Sequence, residues 1–207
     1  MLAASCAVLL TTGALGAHGL DEYVQAMRVA VAMDSVVVHI GLTPGVAVAP
    51  AIIEHVDRDG DGLISPAEAE AYGRDVLSDL TLTSDGAPVV LGLTKVEAPP
   101  PGELRDGIGT IRIKTFARIP PKAGAREIVL HNRHRPAQSV YLANALLPES
   151  DAITIQRQER NANQQLFRLD YEVAQQRTGA AVWLVVAAAL LLLHVRWRAR
   201  RPIATLS

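Results

Sequence analysis

Between residues 20 and 175 apolar and polar residues alternate with a period of two over most of the chain. Tyr23, Met27, Val29 and Val31 share one face of the first such segment, and an apolar run at residues 36–42 follows Met33-Asp34-Ser35. Successive side chains of a strand point to opposite faces, so this spacing predicts a hairpin with one buried face. A second hairpin is predicted across Asp85-Gly86, between Leu80-Thr81-Leu82-Thr83 and Val89-Val90-Leu91, because an Asp-Gly pair tolerates the positive φ of a tight turn. Pro99-Pro100-Pro101-Gly102 then breaks the pattern, since proline has no N–H to give to a ladder. Beyond the break Ile111, Ile113, Ala117 and Ile119 alternate with Arg112, Lys114 and Arg118, the signature of a sheet with one dry and one wet face. Further strands are predicted at residues 127–131 and 140–147 and as a pair between residues 153 and 173. About seven or eight short strands with frequent turns predict a mainly β fold, an antiparallel sandwich compatible with an immunoglobulin-like layout but lacking its Cys and Trp markers.

The period changes once. Ile52, Ile53 and Val56 precede an acidic stretch, and Tyr72, Val76, Leu77 and Leu80 follow it at three- and four-residue spacing. Residues 46–80 therefore read as two short helices flanking a loop inserted into the β domain.

That loop is Asp57-Arg58-Asp59-Gly60-Asp61-Gly62-Leu63-Ile64-Ser65-Pro66-Ala67-Glu68, and it resembles the EF-hand over all twelve positions. The resemblance implies one calcium ion held by carboxylates of Asp57, Asp59 and Asp61, the backbone carbonyl of Leu63, a water on Ser65 and both oxygens of Glu68, with Gly62 at the sharp bend and Ile64 docking the loop on the core. The charges agree with a cation: four carboxylates and one arginine share twelve residues, and their repulsion is only partly screened by water. A plain helix start would also account for Ser65 and Glu68, with Ser65 as N-cap, Pro66 at the first helical position and Glu68 closing a capping box. It does not account for three alternating aspartates and Gly62. No second loop of this kind occurs, and a lone hand in an external compartment belongs with weak sites, Kd ~10⁻⁴ to 10⁻³ M, that stabilise rather than signal.

The ends set the address. Residues 2–16 are small or apolar and lead to Leu15-Gly16-Ala17, which reads as a signal peptide over residues 1–17, lacking a basic leader, with His18 first after cleavage. Residues 179–195 carry no charge, Trp183 and Trp197 stand like interface anchors, and Arg196, Arg198, Arg200 and Arg201 follow. This predicts a single membrane-spanning helix with a basic cytoplasmic tail at residues 196–207, which places the domain at residues 18–175 outside the inner membrane.

Composition narrows the chemistry. Of 207 residues 49% are hydrophobic and 20% charged, which suits one globular domain and one membrane segment. A net charge of −1 gives no field to hold nucleic acid. The sole cysteine, Cys6, lies in the leader, so thiol chemistry is excluded from the mature domain. No nucleophile elbow, phosphate-binding glycine loop, zincin motif or paired catalytic acids are found, and no catalytic residue is assigned. In His131-Asn132-Arg133-His134-Arg135 the interleaved arginines would repel a divalent cation, so a solvated turn is expected. His39 is expected on an exposed sheet face and His55 on the polar side of the entering helix.

Beyond the loop, His18-Gly19-Leu20-Asp21-Glu22-Tyr23, Leu42-Thr43-Pro44-Gly45-Val46, Asn132-Arg133-His134 and Ser139-Val140-Tyr141-Leu142 resemble the external N-terminal domain of hydrogenase- and urease-accessory permease-like membrane proteins. With one span this chain has no transport path, so the resemblance implies a stand-alone external module that meets a separate membrane protein. Three readings stand: a calcium-stabilised, membrane-tethered interaction domain; an accessory for nickel, cobalt or copper using His18, or His131 with His134; and an envelope enzyme of unrecognised type.

Overall fold

A computed structural model of the chain describes residues 21–175, 190–192 and 196. The expected leader at residues 1–17, His18, most of the expected span at 179–195 and the tail beyond Arg196 lie outside the described residues. Among the described residues no helix is long and apolar enough to cross a membrane.

The first predicted hairpin is present. β1 (Tyr23–Val31) pairs antiparallel with β2 (Ser35–Pro44), from Tyr23 opposite Pro44 to Val31 opposite Val36. Tyr23, Met27, Val29 and Val31 all lie inward, as their spacing requires. Two helices follow, α1 (Ala49–Val56) and α2 (Pro66–Ser78), then β3 (Leu80–Ser84) and β4 (Ala87–Val89). The turn between these strands has φ of 51° at Asp85 and 79° at Gly86, the two successive positive values of a primed hairpin turn. β5 (Gly92–Glu97), α3 (Pro101–Arg105), β6 (Ile111–Arg118), β7 (Gly124–Asn132), β8 (Ser139–Ala145), β9 (Ile153–Arg160) and β10 (Leu166–Val173) complete the order.

The strands form two five-stranded sheets, β5-β6-β2-β1-β8 and β4-β3-β7-β10-β9. One apolar cluster takes residues from both, including Val29, Val38 and Ile113 from the first and Leu82, Leu130, Phe167 and Leu169 from the second. The fold is thus mainly β with few helices, as the alternation predicts.

Three details differ from expectation. β1 and β8 are parallel, with Tyr23 opposite Ser139. A parallel pair cannot be joined by a tight turn, so its partners lie far apart in sequence and no local signal announces them. β5 was not expected; it is an exposed edge strand with a register shift between Leu93 and Lys95, and its alternation is blurred there. The proline run does end a strand, but Pro101 also begins α3, because a residue that lacks N–H costs nothing in a helix's first turn.

The helical insertion is clamped to the first sheet. α1 buries Ile52, Ile53 and Val56, and α2 buries Ala69, Tyr72, Gly73 and Val76. A Cβ added at Gly73 would stand 2.6 Å from Val96 Cγ2 and 3.3 Å from Leu93 Cδ1, so glycine lets α2 lie flush on β5.

Candidate metal site

α1 closes with the Asp57 N–H donating to the Ile53 carbonyl at 2.8 Å, after which Asp57 leaves helical geometry. Gly60 and Gly62 then take φ of 71° and 82°, values that cost an L side chain energy, and bend the chain around the acids. Asp57 is 9% exposed and anchors the bend: Oδ1 accepts from Gly60 N at 2.9 Å and Oδ2 from Gly62 N at 3.0 Å. Asp59 Oδ1 accepts from Asp61 N at 3.2 Å, and Asp61 Oδ1 from Leu63 N at 2.8 Å. These bonds bring carboxylate oxygens of Asp57, Asp59 and Asp61 within 4.8 Å of one another.

Charges so placed repel. Two unit charges about 4 Å apart cost about 1 kcal/mol in water and about 4 kcal/mol at an effective dielectric near 20. The nearby cation does not relieve this, because Arg58 Nη2 turns to Asp75 Oδ2 of α2 at 2.6 Å, where His55 Nε2 also lies at 3.4 Å. The donor set, hard oxygens at short mutual range, is that of a hard divalent cation.

The other sequence-assigned ligands stand differently. Ser65 is the N-cap of α2 and the capping box is complete, so the helix-start reading is also realised. Glu68 Oε2 accepts from Ser65 N at 2.9 Å and Ser65 Oγ at 2.8 Å, and Oε1 from Arg58 N at 2.7 Å and Asp59 N at 3.3 Å. Those bonds, led by the Ser65 N–H and hydroxyl, lower the Glu68 pKa to about 2. A carboxylate has about four lone-pair sites, and all of them are engaged. Glu68 is not part of the aspartate cluster, and to ligate an ion it would have to exchange N–H or O–H partners for it. Leu63 has an exposed side chain, and Ile64 packs on the core as expected. Asp61, Leu63, Ile64 and Ser65 line a cleft of about 390 Å³ together with Ala98 and the prolines at 99–101.

Beneath α2 lies a buried polar network that the sequence reading missed. Tyr72 OH is 2.7 Å from Tyr23 OH and 3.2 Å from His134 Nε2, and His134 Nδ1 is 2.8 Å from Asp79 Oδ2. One polarity satisfies every group: Tyr23 donates to Tyr72, Tyr72 to His134 Nε2, and His134 Nδ1–H to Asp79. The His134 carbonyl accepts from Gln25 Nε2 and Tyr141 OH, and Asn132 Nδ2 donates to Gln25 Oε1 while its Oδ1 accepts from His134 N. The expected solvated turn is corrected here: His134 is 3% exposed, because distant residues on α2 and β1 supply its partners. With both ring nitrogens engaged, His134 has no lone pair for the transition-metal pairing with His131, which itself is half-buried. One signal was available, since Gln25 falls on the apolar face of β1 between Tyr23 and Met27, and a polar residue there needs partners. His39 is half-buried on the outward face of β2, and His55 is exposed on α1 as expected.

This network gives a pH dependence. Burial lowers the His134 pKa, opposed by Asp79 and assisted by the nearby charges of Arg135 and His55. Below about pH 6.5 the unfolded imidazole takes up a proton that the folded one refuses, so the unfolded state binds more protons and stability declines as the pH is lowered. The contribution is complete above about 6.5 and declines below it by at most ~1.4 kcal/mol per pH unit. Denaturant midpoints from pH 7.5 to 5 should fall, and the His134 ring should titrate below an unstructured histidine by NMR. A His134 titration above that of an unstructured histidine contradicts this.

Searches of protein-family models, curated proteins and solved structures give no match to this chain.

Proposed function

We propose that the chain is a calcium-binding, membrane-anchored extracytoplasmic module in which residues 57–68 hold one calcium ion that stabilises the fold. The carrying observation is the convergence of Asp57, Asp59 and Asp61 within 4.8 Å around two left-handed glycines, with the only arginine of the loop drawn away to Asp75. Asp57, Asp59 and Asp61 would hold the ion first, with the Leu63 carbonyl, Ser65 and Glu68 completing the shell. The hydrogen bonds that Glu68 must give up oppose its joining, which supports a weak site. The finer architecture belongs to the same reading: an immunoglobulin-like sandwich, supported by two sheets on one core, carrying an EF-hand insertion and a C-terminal span. Leu190, Leu191 and Leu192, helical and exposed by 61%, 67% and 65%, support a surface that meets lipid. The module's role is to present a stable external surface to a membrane partner.

The test is thermal and chemical unfolding of the full chain with calcium or with chelator. For Kd ~10⁻⁴ to 10⁻³ M, 10 mM calcium should raise stability by about 1.4 to 2.7 kcal/mol. Asp59→Asn with Asp61→Asn, which keeps an acceptor oxygen for each turn bond and removes two charges, should abolish the increment. Identical unfolding of the unaltered chain with calcium and with chelator would exclude the proposal.

A further inference from the structure

The two outer sheet faces treat their charges differently. On the β7-β10-β9 face cations meet acids: Arg168 bonds Glu127, and Arg157 bonds both Asp170 and Glu159. On the β5-β6-β2-β1 face, among the described residues, only Lys95 meets an acid, Glu97. Arg28 lies opposite His39, His39 opposite Lys114, and Lys114 opposite Lys95, so one row across four strands carries four basic side chains in register. At ~4.8 Å between strands the row is about 14 Å long. Like charges directly opposite one another are destabilising. Among the described residues neither Arg28 nor Lys114 has a carboxylate within ion-pair reach, and the sole acid of the patch, Glu97, pairs with Lys95 and lies opposite Arg112.

The next row explains the shape. It reads Ala26, Gly41, Arg112, Glu97, and its two smallest residues form the floor of a depression of about 540 Å³. Arg28, His39, Lys95, Arg112 and Lys114 rise around it, and the Thr43 and Thr110 hydroxyls, 2.7 Å apart, sit at one end. Burial, then the charges of Arg28 and Lys114, lower the His39 pKa.

We propose that this depression binds a soluble multivalent phosphate anion, laid across the strands along the Arg28-His39-Lys114-Lys95 row. An elongated oligoanion matches a row of about 14 Å better than a single phosphate, and bonds from several cations to its oxygens would offset the like-charge repulsion. The site lies on the first sheet, apart from the aspartate loop, and does not depend on calcium.

The test is titration calorimetry of the full chain, freed of metal ions beforehand, with inorganic pyrophosphate and tripolyphosphate. Tricarballylate serves as a carboxylate arm, and vesicles of phosphatidylglycerol and phosphatidylcholine as a lipid arm. Tripolyphosphate should bind best, Lys114→Gln should weaken it roughly tenfold or more, and Arg157→Gln on the other face should change it less than twofold. The His39 pKa, read by NMR, should rise when tripolyphosphate binds. Without anion, Lys114→Gln should melt higher than the unaltered chain, because it relieves the row. Equal loss in Lys114→Gln and Arg157→Gln, tighter binding of tricarballylate, or binding to vesicles with none to tripolyphosphate would each overturn the proposal.

Discussion

Replacing Tyr72 by alanine is expected to destabilise the fold by about 3 to 5 kcal/mol, the range for truncating a fully buried large aromatic side chain. Tyr72 is 0% exposed and couples α2 to the first sheet through Tyr23 and to the second through His134, which follows β7. Truncation opens a cavity, removes the acceptor from Tyr23 OH and leaves His134 Nε2 without its donor. Tyr72→Phe keeps the volume and loses only the hydroxyl, so about 1 to 3 kcal/mol is expected. Urea unfolding of both variants gives the split. On the proposed calcium-binding reading, affinity for the ion should fall as well in Tyr72→Ala, because Glu68 and Ser65 sit at the start of the helix that Tyr72 anchors. A loss below about 1 kcal/mol in the alanine variant would mean that the helical insertion folds independently of the sheets.

How much of this was legible along the chain follows from the range of the forces involved. The hairpins at β1-β2 and β3-β4 are local: a period-two pattern and a turn pair at Asp85-Gly86 specify both partners within a few residues. The helix-loop-helix is legible for the same reason, since Asp57, Asp59, Asp61 and Gly62 act on one another through adjacent peptide groups, and Ser65 and Glu68 through a single turn. What the pattern cannot supply is pairing across the chain. The parallel contact of β1 with β8, the docking of α2 on β5 at Gly73, and the burial of His134 each join segments that share no sequence signal. In Asn132-Arg133-His134 the flanking arginines suggest solvent, and only the fold brings Tyr72, Asp79 and Gln25 to that segment. The basic row was half legible. Arg112 and Lys114 were read as a wet face, but their alignment with Arg28, His39 and Lys95 depends on the register of three strand pairs. Glu68 shows the opposite limit: the motif assigns it two roles, calcium ligand and helix cap, and the structure realises the cap through four hydrogen bonds to its carboxylate.

The second large effect is expected at Asn132, which ties the β7 end to Gln25 of β1. Asn132→Leu keeps the branched skeleton and the number of heavy atoms but removes the donor to Gln25 Oε1 at 2.8 Å and the acceptor of the His134 N–H at 2.9 Å. Gln25 and Asn132 are both 0% exposed, so water cannot replace either bond. An orphaned buried polar group costs about 1 to 3 kcal/mol, so two orphans place the loss at about 2 to 6 kcal/mol. The same asymmetry makes the prediction discriminating. Gln25→Met alone should also destabilise, because it leaves Asn132 Nδ2 facing a sulfur instead of a carbonyl. In the double variant Gln25→Met with Asn132→Leu that donor and acceptor are both gone, and the His134 carbonyl retains the Tyr141 hydroxyl at 2.7 Å. Its loss should therefore be smaller than the sum of the two single losses, by about 1 kcal/mol or more. Strict additivity in a double-mutant cycle, measured by urea unfolding at pH 7.5 where His134 is neutral, would show that the amide pair does not act as a unit and that the network's stability resides in Tyr72 and His134 instead.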